Sequence, residues 1–461
     1  MTPEDKTTKE ARRTPLHLLR YLSGVSGVSD DWDGYGEEDE AFIQLIPKVE
    51  LHVHLDGSFD PDFLWDYLQN NSNLFYCLPV QTDLPWEPGK ILKVRELVEK
   101  CKSSRDFHNL CTCRGYRSLK AMLNCFEIFL PLVRNQLELL EELAFDFCKR
   151  QWEQNVVYTE VRYSPYLLAE PVQKDNSILD ADDKANKVFE AITRGLRRGS
   201  EKYGITVNQI MSAINWRPDW APKTLDLVVK HQHDFPCATV GIDIAAGEEH
   251  FDSEHFPDLH QIHYDMIQKA KLLGIPITIH AGEIQPTGPK SNLRMAIEEY
   301  GASRIGHGYR TVDSPEMIQL VRDKKVHVEI CPTSSNETGG WAYTGEKNWK
   351  LHPMTEMVKE GLPISINSDD PGVFHTSLSW QYRVVLAKMG LDRETILQSN
   401  LHGIEGAFCS DDQKREITSK ILAFANKIGM HKDSRDWHRS LSDNFMDRVY
   451  LAIEDDEAIY I

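Results

Sequence analysis

Several common signatures are missing from this 461-residue chain. It has no uninterrupted apolar run of the ~18 residues that a membrane-crossing helix needs. Met1 to Glu10 is polar and lacks the apolar core of a secretory leader, so a cytoplasmic protein with reduced thiols is expected. The nine cysteines are irregularly spaced and no C-x-x-C occurs, which gives no disulfide framework. Cys111-Thr-Cys113 has no second pair to complete a metal site. Basic charge is short as well: 52 Lys and Arg against 71 Asp and Glu leave a net charge of −19. Such a chain has no general attraction for nucleic acid or an anionic membrane, and neither is expected as a partner. No G-x-G-x-x-G follows a β-like run, so the usual dinucleotide fingerprint is absent.

What is present is ordinary globular composition, 41% hydrophobic and 27% charged. Residues 1–45 read as an N-terminal extension, polar at first and then acidic through Asp30–Glu40. It is expected to be a loosely packed arm, with a short amphipathic helix over Leu16–Leu22. Residues 46–461 read as a single domain. Eight short β-branched runs alternate with helical stretches: Lys48–His54, Val156–Tyr163, Gln209–Asn215, Ala238–Ala245, Pro276–His280, Arg304–Gly306, Val326–Ile330 and Ile364–Asn367. The alternation predicts an α/β fold with a parallel sheet, closed as a (β/α)8 TIM barrel; a doubly wound open sheet is the alternative. The long interval 70–134 after the first strand reads equally as a lid over the barrel mouth or as a structural helical insertion.

The strands end in ionisable residues. His52 and His54 close the first run and, two apart, point to the same side. His280 and Glu283 follow the fifth run, His307 the sixth, and the acid pair Asp369 and Asp370 the eighth. Buried ionisable groups cost several kcal/mol unless paired or metal-bound, so four such endings are hard to explain by packing. His52, His54, His280 and Asp369 make a nitrogen and oxygen set that suits one Zn²⁺ or a similar divalent ion, with a position left for water. Cys331 reads as a small apolar core residue. Glu283, three residues past His280, reads either as an acid facing the same cavity or as a helix-start acid. Asp243, inside the fourth strand, is placed to orient a ligand histidine. His250, His255, His260 and His263 do not share a helical face and read as a solvated loop leading into a helix.

Together these residues resemble the adenosine deaminases, zinc-dependent amidohydrolase-like barrel enzymes. The matching segments are Lys48-Val-Glu-Leu-His-Val-His-Leu-Asp-Gly57, Glu160-Val-Arg-Tyr-Ser-Pro165, Gly241-Ile-Asp-Ile-Ala245, His280-Ala-Gly-Glu283, Arg304-Ile-Gly-His-Gly-Tyr309, Glu329-Ile-Cys-Pro332 and Ser368-Asp-Asp-Pro371. They occur in the family's order over roughly residues 46–425. The resemblance implies one zinc bound by His52, His54, His280 and Asp369. It implies that Glu283 donates a proton to N1 of the purine and that His307 positions and deprotonates the attacking water. Asp370 would hydrogen-bond N7, and Asp56 would accept from a ribose hydroxyl. The N3 contact would come from a main-chain N–H of Ala246 or Gly247. At position 56, relatives acting on N6-methyl-AMP tend to carry Asn and adenine-specific ones Glu, so Asp56 points to adenosine and 2′-deoxyadenosine. The implied protein is a monomeric enzyme of purine salvage acting on a small purine nucleoside. A 6-substituted purine nucleotide such as N6-methyl-AMP, or a non-catalytic growth-factor-like role on the same barrel, are the alternatives.

Overall fold

The computed structural model describes residues 35–77, 91–169, 181–248, 257–284, 291–341, 347–428 and 430. Eight strands form its centre: β1 (Lys48–His54), β2 (Val156–Tyr163), β3 (Thr206–Ile214), β4 (Thr239–Ala245), β5 (Thr278–Ala281), β6 (Arg304–His307), β7 (His327–Ile330) and β8 (Ile364–Ile366). They coincide with the expected runs, apart from shifts of one to three residues at the ends. β1 to β4 and β5 to β8 each form a parallel four-stranded arc in chain order. Single bridges join the arcs at Ile242 with Ile277 and at Val53 with Asp369. The result is the closed (β/α)8 barrel. Strands buried on both faces read as near-continuous apolar runs, which is why they were legible.

Closure between β1 and β8 relies on side chains. β8 is only three residues long and cannot satisfy the whole edge of β1. Asn367 Oδ1 accepts from the N–H groups of Leu51 at 2.9 Å and His52 at 3.1 Å, and Asn400 Oδ1 accepts from Val49 N at 2.7 Å. Two amide side chains thus stand where backbone carbonyls would be. At the foot of β1, the buried Lys48 ammonium donates to the carbonyls of Ile43, Ile46 and Gln154.

The outer helices follow the expected pattern. Leu137–Glu153 buries Leu139, Leu140, Leu143, Ala144 and Phe147 on one face, and it packs on the helix Ala181–Tyr203. Most of the expected N-terminal arm, residues 1–34 with Leu16–Leu22, lies outside the described residues, as does 431–461. Its last part is a helix, Glu37–Leu45, with Phe42 and Ile43 buried. This helix is tied down by Arg383 Nε to Glu40 at 2.8 Å and Arg393 Nε to Asp39 at 2.7 Å. The excursion after β1 holds the helices Pro61–Asn70, Val94–Cys101, Ser104–Cys111 and Leu119–Val133. It also holds a short antiparallel ribbon, Phe75–Cys77 with Ile91–Lys93, which the sequence did not announce. Cys111 and Cys113 are buried in this region, and no described cysteine is in a disulfide. Among the described residues, no helix is long and apolar enough to cross a membrane.

Asn367→Ala would leave the buried N–H groups of Leu51 and His52 without acceptors. At about 1–3 kcal/mol per orphaned group, we expect a loss of roughly 3 kcal/mol in denaturant unfolding. An unchanged midpoint would show that the seam does not depend on this amide.

Candidate metal centre and active site

The C-terminal ends of β1, β5 and β6, with the turn after β8, bring five polar side chains to one point in the barrel mouth. Asp369 Oδ1 lies 3.1 Å from His52 Nε2 and 3.5 Å from His54 Nε2. His54 Nε2 and His280 Nε2 are 3.0 Å apart. His307 Nε2 lies 4.0 Å from Asp369 Oδ2 and 3.7 Å from Glu283 Oε2. Ligand atoms of His52, His280, His307 and Asp369 all fall within 4.8 Å of one another. The structure therefore brings His52, His54, His280 and Asp369 together and adds His307 to the same cluster.

The partners of the imidazoles set their tautomers. His52 Nδ1 is 2.7 Å from Glu329 Oε2, and His280 Nδ1 is 3.1 Å from Asp243 Oδ1. A carboxylate only accepts, so in each ring the proton sits on Nδ1 and the Nε2 lone pair faces the cluster. This is the arrangement by which acids orient metal-ligating imidazoles. His307 Nδ1 is 3.2 Å from Tyr309 Oη, whose hydroxyl donates to Cys331 O at 2.8 Å. Having spent its proton there, the tyrosine oxygen accepts from His307 Nδ1–H. The Nε2 of His307 is then a free base directed at the cavity.

Electrostatics agree with a cation at this point. Burial pushes His52 down, yet Asp369 and Glu329 on either side raise its pKa, so the position between them favours positive charge. Burial alone would lift Asp369, but His307 and His52 hold it well below the ordinary carboxylate range. His54 and His307 are pushed well below the usual imidazole value, chiefly by burial, and are neutral. Neutral imidazole nitrogens with one carboxylate fit a divalent ion.

The backbone is strained where it presents these groups. His307 has φ +68° and Asp369 φ +65°, left-handed values that cost non-glycine residues of order 1–3 kcal/mol each. Ala246, at the position of the expected N3 contact, has φ +63°, followed by Gly247 at +69°. Two glycines make room for the acids and rings. A Cβ at Gly306 would lie 2.7 Å from His52 Cε1, and one at Gly57 would collide with the Asp370 carboxylate.

Beside the cluster opens a cavity of about 790 Å³, counting the space at its mouth. Asp56, Glu283, Asp370, Ala246 and Gly247 line its inner part. Burial pushes Asp56 up to about 7, although Ser164 N donates to it at 3.3 Å. Asp370 is raised well above the carboxylate range by burial and then by the neighbouring charges of Asp369 and Asp56. Asp370 Oδ1 and Asp56 Oδ1 are buried without a hydrogen-bond partner. The outer wall is apolar: Leu119, Met122 and Phe126 from the excursion helix, and Trp216 after β3. The described lining includes no Lys or Arg.

Sequence reasoning found Asp243 beside His280 but missed the support of His52. Glu329 also accepts from Arg162 Nη2 at 2.7 Å and Arg304 Nε at 2.6 Å, and Arg304 pairs further with Glu160. The available signal was a charged residue inside an otherwise apolar strand, as at Arg162, Arg304 and Glu329. Of the histidine run, His260 and His263 lie in the helix Pro257–Leu272, and His263 is buried with Nε2 at 3.1 Å from Asn215 O rather than solvated; His250 and His255 lie outside the described residues.

The family model described as "Adenosine deaminase" matches residues 47–424. An adenosine deaminase of Xenopus tropicalis is 30% identical over 388 residues, covering 83% of this chain and 96% of its own. One from Enterococcus faecalis is 28% identical over 384 residues, covering 83% and 98%. Among solved structures, an amidohydrolase from Burkholderia ambifaria with bound Zn superposes with TM-score 0.66 at 22% identity, over 88% of this chain and 97% of that one. The Arabidopsis N6-mAMP deaminase superposes with TM-score 0.62 at 23% identity, over 83% and 99%.

Asp243→Asn should keep the fold and weaken metal binding about 10–100-fold through loss of the hold on His280, as measured by competition with a chelator. Unchanged affinity would remove Asp243 from the site.

Proposed function

The chain belongs to the adenosine deaminase family, and we propose that it acts there as a zinc-dependent hydrolase of adenosine and 2′-deoxyadenosine, releasing ammonia and leaving inosine or deoxyinosine. The observation that carries this reading is the cavity itself. Beside His52, His54, His280 and Asp369 stand the base His307, the acid Glu283 and two further carboxyls, and the described lining offers no cation to a phosphate. A neutral nucleoside fits such a cavity, whereas a 5′-phosphate would meet Asp56 and Glu127 instead of an arginine or lysine.

A divalent ion held by His52, His54, His280 and Asp369 supplies, when bound, a water of lowered pKa. The chain's own groups do the rest. His307 Nε2, kept neutral by burial and oriented through Tyr309, takes the proton from the attacking water. Glu283 gives a proton to purine N1, which makes C6 electrophilic. Once water has added at C6, the proton held by His307 passes to the amino group, which leaves as ammonia as the C6–N bond breaks. The new C6 hydroxyl returns a proton to Glu283. Asp370, whose carboxyl burial pushes upward, hydrogen-bonds N7. Asp56 takes the ribose hydroxyl, and the Ala246–Gly247 segment, which lines the cavity, offers its N–H to N3. The excursion helix Leu119–Val133 closes the apolar side and reduces access of bulk water.

The test is the fall in adenosine absorbance on addition of the protein, with and without a chelator, beside AMP and N6-methyl-AMP. Adenosine should turn over, the chelator should abolish turnover, and zinc should restore it. A kcat/KM for AMP or N6-methyl-AMP equal to that for adenosine would overturn the nucleoside reading. Glu283→Gln should keep its zinc and lose about 10²–10⁴-fold in kcat, the usual worth of a general acid; near-normal turnover would sink its assignment.

A further inference from the structure

We propose that Glu248 is a positioning residue for the proton donor Glu283, and that it fixes the spacing between the protein's contacts to N1 and N3 of the purine. The proposal rests on the deaminase reading above. Glu248 is buried, 4% exposed, in the loop after β4. Its carboxylate accepts from three successive main-chain N–H groups: Gly282, Glu283 at 3.2 Å and Ile284 at 2.6 Å. The side-chain amide of Asn292 donates to it as well. Three consecutive N–H groups converging on one anion form a nest, which defines the path of the chain that carries them.

The turn needs such a partner. It leaves β5 after Ala281 and bends at Gly282, φ +70°, so it has no neighbouring strand to accept its N–H groups. These four partners are all donors, and only a carboxylate accepts on both of its oxygens. A glutamine would turn an NH₂ toward a main-chain N–H. Glu248 also stands immediately after Ala246 and Gly247, the left-handed pair expected to offer the N3 contact. One carboxylate therefore joins the segment that meets N3 to the turn that meets N1, and in a purine those two nitrogens are separated by a single carbon.

The experiment compares wild type, Glu248→Gln, Glu283→Gln and the double variant as zinc-loaded proteins. Metal content, thermal midpoint, kcat and KM are measured for adenosine, together with amide exchange of the 280–284 segment. Glu248→Gln should keep its metal, lose about 100-fold in kcat with KM within threefold, and exchange the 282–284 amides faster. The double variant should be no slower than Glu283→Gln, because Glu248 acts through that acid. A kcat within threefold of wild type would overturn the proposal. So would a double variant in which the two losses multiply, since that marks a merely structural residue. If Glu248→Gln does not fold, Glu248→Asp, which keeps the charge but shortens its reach, should fold and lose at least tenfold in kcat; full activity would refute the role. If wild type itself turns over no adenosine, the functional reading falls, whereas the exchange arm alone still decides whether Glu248 holds the turn.

Discussion

A carboxylate beyond the reach of water organises the barrel mouth. Glu329 accepts from His52 Nδ1 at 2.7 Å, Arg162 Nη2 at 2.7 Å, Arg304 Nε at 2.6 Å and Thr278 Oγ1 at 3.0 Å. These partners come from β1, β2, β6 and β5, so one side chain on β7 links five strands across the interior. Burial would raise its pKa, but the two guanidinium groups hold it well below the carboxylate range. Each member of the network pairs with at least one oppositely charged or hydrogen-bonding neighbour. Removing a single partner from such a set strands the rest, which is more damaging than never having built it. Its outward effect is to point the lone pair of His52 at the cluster.

The strained residues above this floor make sense against it. His307 and Asp369 hold left-handed backbone angles at the ends of two strands, where their side chains would otherwise continue the in-and-out alternation of the barrel. The rigid charge network and the close packing at Gly306 fix the strands beneath. The turns above them are therefore held in conformations that the isolated sequence would not choose.

The strands could be read from the sequence because both of their faces are buried, and the site could be read because histidines and acids interrupt that apolarity at the mouth. Asp243 was placed correctly for a related reason: a charge inside a buried strand requires a partner. Other features depend on directions that composition does not encode. Glu248 matters through the N–H vectors of a turn some 35 residues later in the chain. Asn367 and Asn400 matter through a gap left by the shortness of β8. The ribbon Phe75–Cys77 with Ile91–Lys93 is too short to carry a period. In the helix Glu37–Leu45, the acidic residues that pair with Arg383 and Arg393 mask the apolar face that Phe42 and Ile43 bury.

The outer wall of the cavity has a different origin from its floor. The floor is assembled from several strand ends, each tied to the others through shared charges. Much of the wall comes from one continuous helix, Leu119–Val133, capped by Ser118 and lying outside the barrel proper. Mutations on that helix can reshape what enters without disturbing the acids and imidazoles beneath. The part of the cavity that shapes entry is thereby written on a piece of chain separate from the acids and imidazoles, and descent with modification can reshape it by editing one helix while the floor is inherited intact.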